Sequence, residues 1–358
     1  MRKYSSIQCF TGGGTRFGYY LGSYAAWSAH QPAPSAIFAT CGGSIAAWLI
    51  SQAPDSKKLY EIATSPILHQ TLCQLAQPRQ PKHMFTPILQ AALRYWQTRS
   101  EARLQRVHER DTFHSLLHEL KKYALFQPIK QPNSWLQPVA DFAASLPNPQ
   151  LHHTPDILIG ASRLLPQSTR WQYIVFSSKK QHFRQPENIA AYHAPHRQDR
   201  QIQPIFTPNL QAAVAASVAD MYYQEPVFID NIGFCMGGVM DLLPLEWLAT
   251  LADNVITEQK SFYNKYLSEP AILRIFGTPA NLRHTEIQQF MQQHARIHPL
   301  PFSDNQLALK GKYVSKSYDW FSGSLKVNIG NPDTFAEQID AQWQYGYNNT
   351  LIYLNENL

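Results

Sequence analysis

The stretch that most constrains this chain is Ala39-Thr40-Cys41-Gly42-Gly43-Ser44. A short apolar run from Ser35 to Ala39 leads into it, and a second run from Ile45 to Ile50 leads out. The first reads as a buried strand and the second as the start of a buried helix. Between them the backbone must reverse sharply, and two adjacent glycines permit the close approach this needs. A side chain at the apex then points away from the sheet, with a helix N-terminus behind it. This is the geometry of a nucleophile elbow, written G-x-S-x-G when the nucleophile is serine. Here the pattern is A-T-C-G-G: Cys41 stands at the apex, Gly43 is kept, and the first glycine and the serine are replaced.

A second glycine turn precedes it. Ile7 to Thr11 reads as a first strand ending in Gly12-Gly13-Gly14-Thr15-Arg16-Phe17-Gly18, followed by a Tyr- and Ala-rich helical segment to about Ala29. Three glycines between a strand and a helix let several N–H groups converge on an anion, either a phosphate or an oxyanion. No G-K-[ST] follows, which excludes a P-loop. The glycine spacing and the lack of an acidic residue about twenty positions on exclude a dinucleotide fingerprint.

The 358 residues suit one large domain with an insertion, or two domains. Met1-Arg2-Lys3 is not followed by the apolar core of a signal peptide, and the run at Ile45–Ile50 is too short to span a bilayer. Cys9, Cys41, Cys73 and Cys235 form no C-x-x-C pair, so a reduced, cytoplasmic setting is expected, with neither disulfides nor a zinc site. The 14 histidines match no metal motif, and no metal or cofactor is expected. The formal charge of +6 is that of a mildly basic soluble protein, and it would also suit nucleic acid or peripheral contact with an anionic membrane at its inner face. Nucleic acid is not expected, because no stripe of basic residues is interleaved with aromatics.

Helical patterning runs from about 55 to 125 and includes a basic amphipathic stretch from Pro87 to Lys122, which reads first as a plain solvated face, with a cover over the site or a contact for lipid head groups as the functional alternatives. A Pro-rich segment of about 127–150 reads as loop. Strands are expected at Asp156–Ala161 and Trp171–Phe176, an exposed basic loop at Lys179–Arg200, and an alanine-rich helix from Asn209 to about Met221. Gly237-Gly238 again allows a backbone to come close. Beyond about Leu251, Ala271–Phe276 reads as a strand. Asn331-Pro332 opens a helix that Gly346 ends, and Thr350–Leu354 reads as a last strand.

Three separated stretches, in this order, resemble the patatin-like phospholipases. The family's G-G-G-x-[RK]-G is matched by Gly12-Gly13-Gly14-Thr15-Arg16, with Phe17 where glycine is usual. Its G-x-S-x-G elbow is matched by Ala39–Gly43, and its D-G-G by Met236-Gly237-Gly238, running on to Asp241 and Pro244. The resemblance covers roughly residues 5–250. It implies a three-layer α/β/α sandwich with a mostly parallel central sheet. Residues 1–250 would form the acyl-hydrolase domain, with the helical insertion at about 55–125, and residues 251–358 a C-terminal α/β extension packed on it. It also implies a lipid or fatty-acyl ligand and an oxyanion hole from the amides of Gly12, Gly13, Gly14 and Gly42. Arg16, Gly43, Gly237, Gly238 and Asp241 would support the site.

Family chemistry uses a serine–aspartate dyad, and both positions differ here: Cys41 replaces the serine and Met236 the aspartate. A thiol at a helix N-terminus can still act as a nucleophile. A thioether cannot accept a proton, and losing a catalytic base removes several orders of magnitude of rate. Asp230 and Asp241 are the nearest acids in sequence, and Ser44 the nearest other hydroxyl, read as a cap or packing residue. The expectation is a lipid acyl hydrolase with weak or lost hydrolysis. A lipid-binding pseudoenzyme, and a Cys41-dependent acyltransferase or redox-responsive protein, remain as alternatives.

Overall fold

A computed structural model describes residues 4–76, 113–123, 134–147, 154–166, 170–179, 202–220, 224–237, 241–265, 268–319 and 324–357. The first half runs β1 (Tyr4–Thr11), α1 (Gly18–His30), β2 (Ala36–Thr40), α2 (Gly42–Gln52), α3 (Ser56–Ala63), α4 (Pro66–Leu75), α5 (Phe113–Tyr123) and α6 (Gln137–Ser145). The sheet resumes with β3 (Asp156–Leu165), β4 (Arg170–Ser177) and β5 (Ile202–Phe206), followed by α7 (Gln211–Val218), β6 (Val227–Ile229) and β7 (Gly233–Gly237). Then come α8 (Leu245–Leu251), β8 (Ala252–Glu258), α9 (Ser268–Phe276), α10 (Ala280–Gln293), β9 (Ile297–Leu300) and α11 (Asn305–Ala308). A ribbon of β10 (Ser315–Asp319) and β11 (Ser324–Asn328) precedes α12 (Pro332–Asn357).

Among the described residues, nine strands form one sheet in the order β5-β4-β3-β2-β1-β8-β9, with the β6–β7 hairpin joined to it through β7 and β3. The pairs β1–β2, β1–β8, β2–β3, β4–β5 and β8–β9 are parallel. Strands buried on both faces read as continuous apolar runs. Alternate residues serve different layers: Phe10, Ile37 and Ala39 pack with α1, α2 and α7, while Ile7, Cys9 and Phe38 pack with α8, α9 and α10. The result is a three-layer α/β/α sandwich around a mostly parallel sheet.

One detail of register matters for the site. β2 pairs with β3 as far as Ala39↔Ile159, and two residues further along β3 its partner is β7, at Ala161↔Gly237. β7 therefore continues the row that β2 vacates, and its Gly237 end lies against Ser217 and Ala219 at the end of α7.

Several local expectations give way. Ala271–Phe276 lies inside α9, which starts three residues earlier at Ser268 with Glu269 in its first turn. Thr350–Leu354 is not a strand but the continuation of α12, and Gly346 does not end that helix. Phe335, Ile339, Trp343, Gly346, Thr350 and Leu354 form one buried stripe at helical spacing, so packing overrides the β-preference of the last run. Gly346 is a contact residue: a Cβ there would lie 1.9 Å from the carbonyl oxygen of Tyr19, and one on Gly22 would lie 2.0 Å from that of Trp343. The backbones of α1 and α12 thus touch at these two glycines. The 127–150 segment holds α6, with Pro138 in its first turn where no N–H is needed. Most of the basic stretch from Pro87 to Lys122, and the basic segment 180–200, lie outside the described residues. Among the described residues no helix is long and apolar enough to cross a membrane.

Candidate active site at the end of the central strands

The parallel strands β1, β2 and β8 present their C-terminal ends together, where open α/β sheets place their ligand crevices. β1 runs into Gly12, Gly13 and Gly14, with φ of 76°, 85° and 55°. β2 runs into Cys41, whose φ of 53° and ψ of −129° are strained for any residue with a Cβ.

The two turns are stitched together. Gly12 donates its N–H to Thr40 O at 3.0 Å, and Gly43 donates to Gly12 O at 2.8 Å. A Cβ on Gly42 would lie 2.1 Å from Gly14 O, and one on Gly43 would lie 2.0 Å from Phe10 O. Only glycine lets the loop and the elbow approach this closely. From the other side Ser217, on α7, accepts the Cys41 N–H at 2.9 Å and donates to Gly160 O at 2.7 Å. Ser44 is fully buried and its hydroxyl donates to Cys41 O at 2.6 Å, so it braces the turn.

A cavity of about 650 Å³ opens at this point, within the range of small-molecule sites. Gly13, Gly14, Arg16, Cys41 and Gly42 form its floor. Ile45 of α2 and Leu72, Leu75 and Ala76 at the end of α4 line one apolar wall. Tyr313, Val314, Val327, Ile329 and Phe335, from the ribbon and α12, line another. Asp220 and Gln224 supply polar atoms after α7, and Asp220 is the acidic residue on the lining among the described residues. Gln224 Oε1 is buried and has no hydrogen-bond partner among them. A second concavity of about 470 Å³, lined by Trp48, Gln137 and Lys179 among others, sits at the start of β3 and holds none of the motif residues.

Met236 is fully buried on β7 opposite Ser162 and packs in the layer of Phe38 and Leu158, and it is absent from the cavity lining. Gly237 donates its N–H to Ala219 O at 2.7 Å, and Gly238 lies outside the described residues. Asp241 is buried in an ion pair with Arg283, which also grips Glu246 at 2.6 Å and donates to Leu243 O. Asp230 stands at the β6–β7 turn beside Asn231, whose φ is 61°. Neither acid reaches the cavity lining. Cys235 faces the opposite layer from Met236, and burial pushes its thiol up to about 12.

Sequence reasoning also missed a charged cluster behind the glycine loop. Glu258, at the end of β8, accepts hydrogen bonds from Tyr19 and Tyr20 and pairs with Lys260. Tyr20 also donates to Thr11 O at 2.7 Å. Burial, then the Glu258 carboxylate, raises both tyrosines well above the ordinary phenol value.

A model of the patatin-like phospholipase family matches residues 9–248, about two-thirds of the chain. The chain belongs to that family. The matched span of this patatin-like chain begins on β1 and ends in α8, so it contains both glycine turns, the elbow and β7. No curated protein matches the chain. Among solved structures it is similar to VipD from Legionella pneumophila, at 12% identity and a TM-score of 0.37, over 99% of this chain and 67% of that one.

Proposed function

We propose that this patatin-like protein binds a lipid acyl group in the cavity with the carbonyl carbon at Cys41, and that it turns acyl esters over slowly or not at all. The observation that carries this reading is Cys41 itself. It is held in a strained conformation on the floor of a largely apolar cavity, beside the loop that contributes Gly13 and Gly14. Strain of this kind persists only where the surrounding structure enforces it.

The N–H groups of Gly13, Gly14 and Gly42 are the candidates to receive an oxyanion. Gly12 has given its N–H to Thr40 and serves to hold the loop. Residues 251–358 belong to the same functional unit in this reading, because the ribbon and α12 line the acyl wall. A pseudoenzyme is favoured over an efficient hydrolase by the thioether of Met236 and by the engagement of Asp241 with Arg283. The reading places the protein in the cytoplasm, touching an anionic membrane surface peripherally, which co-sedimentation with anionic vesicles checks.

The deciding experiment measures release of acyl chains from p-nitrophenyl esters and phospholipids, with native mass spectrometry for retained lipid. Wild type, Cys41→Ala, Cys41→Ser and Cys41→Ser/Met236→Asp are compared, with a melting curve for each. Retained lipid, with turnover appearing or rising in the double variant, supports the proposal. Measurable turnover that persists at the wild-type level in Cys41→Ala, or no lipid held by any variant, sinks it.

A further inference from the structure

We propose that Lys260 is a charge-positioning residue for Cys41: its ammonium stands behind the glycine loop and stabilises the Cys41 thiolate, while Glu258 holds it there and tempers it. The inference rests on reading Cys41 as the reactive position of the site.

The geometry comes first. Lys260 Nζ lies 3.8 Å from the point where a Cβ on Gly12 would sit. Gly12 is hydrogen-bonded to Thr40 on one side of Cys41 and to Gly43 on the other. The ammonium therefore lies against the glycine that is hydrogen-bonded to the elbow on both sides of Cys41. It is fixed in place by its ion pair with Glu258 and by a 3.0 Å hydrogen bond to Tyr20 Oη. Tyr20 is anchored in turn to Thr11 O, at the end of the strand that feeds the glycine loop. The side chain of Lys260 is 18% exposed and that of Glu258 only 1%, so water screens this pair poorly.

The electrostatics agree. Burial lowers the Lys260 pKa, Glu258 opposes that, Arg16 adds to the lowering, and a charge on Cys41 favours the ammonium. The same attraction seen from the sulfur favours the thiolate. The charged and titratable groups around the pair come from every neighbouring element. Arg16 belongs to the loop, Tyr19 and Tyr20 to α1, Glu258 to β8, Asp220 to the cavity wall and His284 to α10. His284 is held neutral by burial and by Arg283, its pKa falling to about 4. The cations of this set are Lys260 and Arg16 and its carboxylates Glu258 and Asp220, and Lys260 is the cation fixed against Gly12.

The test is the pH dependence of Cys41 alkylation by iodoacetamide in the full-length protein, followed by peptide-resolved mass spectrometry so that Cys9, Cys73 and Cys235 are scored separately. In Lys260→Met the midpoint for Cys41 rises by about one pH unit relative to wild type, the order expected for losing a nearby opposite charge. In Lys260→Arg it stays close to wild type. In Glu258→Gln it moves the other way, down, because the ammonium loses the carboxylate that offsets it. This second variant keeps hydrogen-bonding atoms for Tyr19 and Tyr20, and it decides the matter if Lys260→Met does not fold. An unchanged midpoint in a folded Lys260→Met, or an unchanged or raised one in Glu258→Gln, overturns the proposal. These readouts need no turnover. If Cys41→Ala leaves lipid retention and ester hydrolysis untouched, the functional reading falls while the alkylation result is judged on its own.

Discussion

Replacing Cys41 by glycine should make the protein more stable than replacing it by alanine. At an ordinary position the order is reversed: glycine is less stable by about 0.4–1 kcal/mol, because the unfolded chain gains freedom. Cys41 has φ 53° and ψ −129°, a conformation in which a Cβ is strained by about 1–3 kcal/mol. Alanine keeps the Cβ and the strain, whereas glycine releases it. The loss of the thiol is common to both variants and cancels. The difference that remains is about 1.3 kcal/mol in favour of glycine at the midpoints, within bounds of about 0 and 2.6 kcal/mol. With an unfolding entropy of about 2.1 cal/mol/K per residue, 358 residues give about 0.75 kcal/mol/K, so the shift is roughly +2 °C in Tm and at most about +3.5 °C. Scanning calorimetry of the two variants side by side resolves this. If Cys41→Gly melts below Cys41→Ala, the elbow holds no strain, and the proposed role of Cys41 loses its support. A gain would accompany complete loss of the thiol, the trade expected if the position is kept for function at the expense of stability.

Two further outcomes follow from packing and titration. Gly346→Ala should destabilise the protein by at least about 2 kcal/mol, since its Cβ would sit 1.9 Å from Tyr19 O and must push α12 off α1. Asn348→Ala, on the exposed side of the same helix, should leave the melting curve nearly unchanged. His284, with its pKa lowered from 6.5 to about 4, binds its proton more readily in the unfolded chain. Its neutral form therefore contributes stability above pH 6.5 that is lost as the pH falls towards 4, by up to about 3 kcal/mol. Urea titrations at pH 7 and pH 4.5 on wild type and His284→Phe measure this, and an identical pH dependence in both would count against it.

The parts of the molecule that could be read from the chain are those whose physics is local. The elbow and the glycine loop announce themselves because strand, glycine turn and helix follow within a dozen residues, and the run Asp156–Ala161 forms part of β3 as its apolar pattern suggests. The tail was misread where a short apolar run is compatible with either period, as at Ala271–Phe276, or where a glycine serves contact rather than termination, as at Gly346. The cavity was only half visible. Its second apolar wall comes from Val314, Val327 and Phe335, which carry no motif and arrive only through tertiary packing. Asp220, Lys260 and Glu258 are single residues whose meaning depends on which strand ends lie side by side, and sequence spacing does not record that.

The contact between α1 and α12 has a consequence for the order of events during synthesis. Gly18, where the glycine loop enters its helix, donates its N–H to Gln342 Oε1 at 2.9 Å across 324 residues of chain. At about 5–20 residues per second, roughly 15–65 s separate the emergence of these two partners from the ribosome. During that interval the loop and Cys41 exist as sequence but lack the brace on Gly18 and the wall that α12 supplies. In a nascent chain the cavity is thus incomplete, and it takes its final shape only when the helix that carries Gln342 seats against the helix that Gly18 opens.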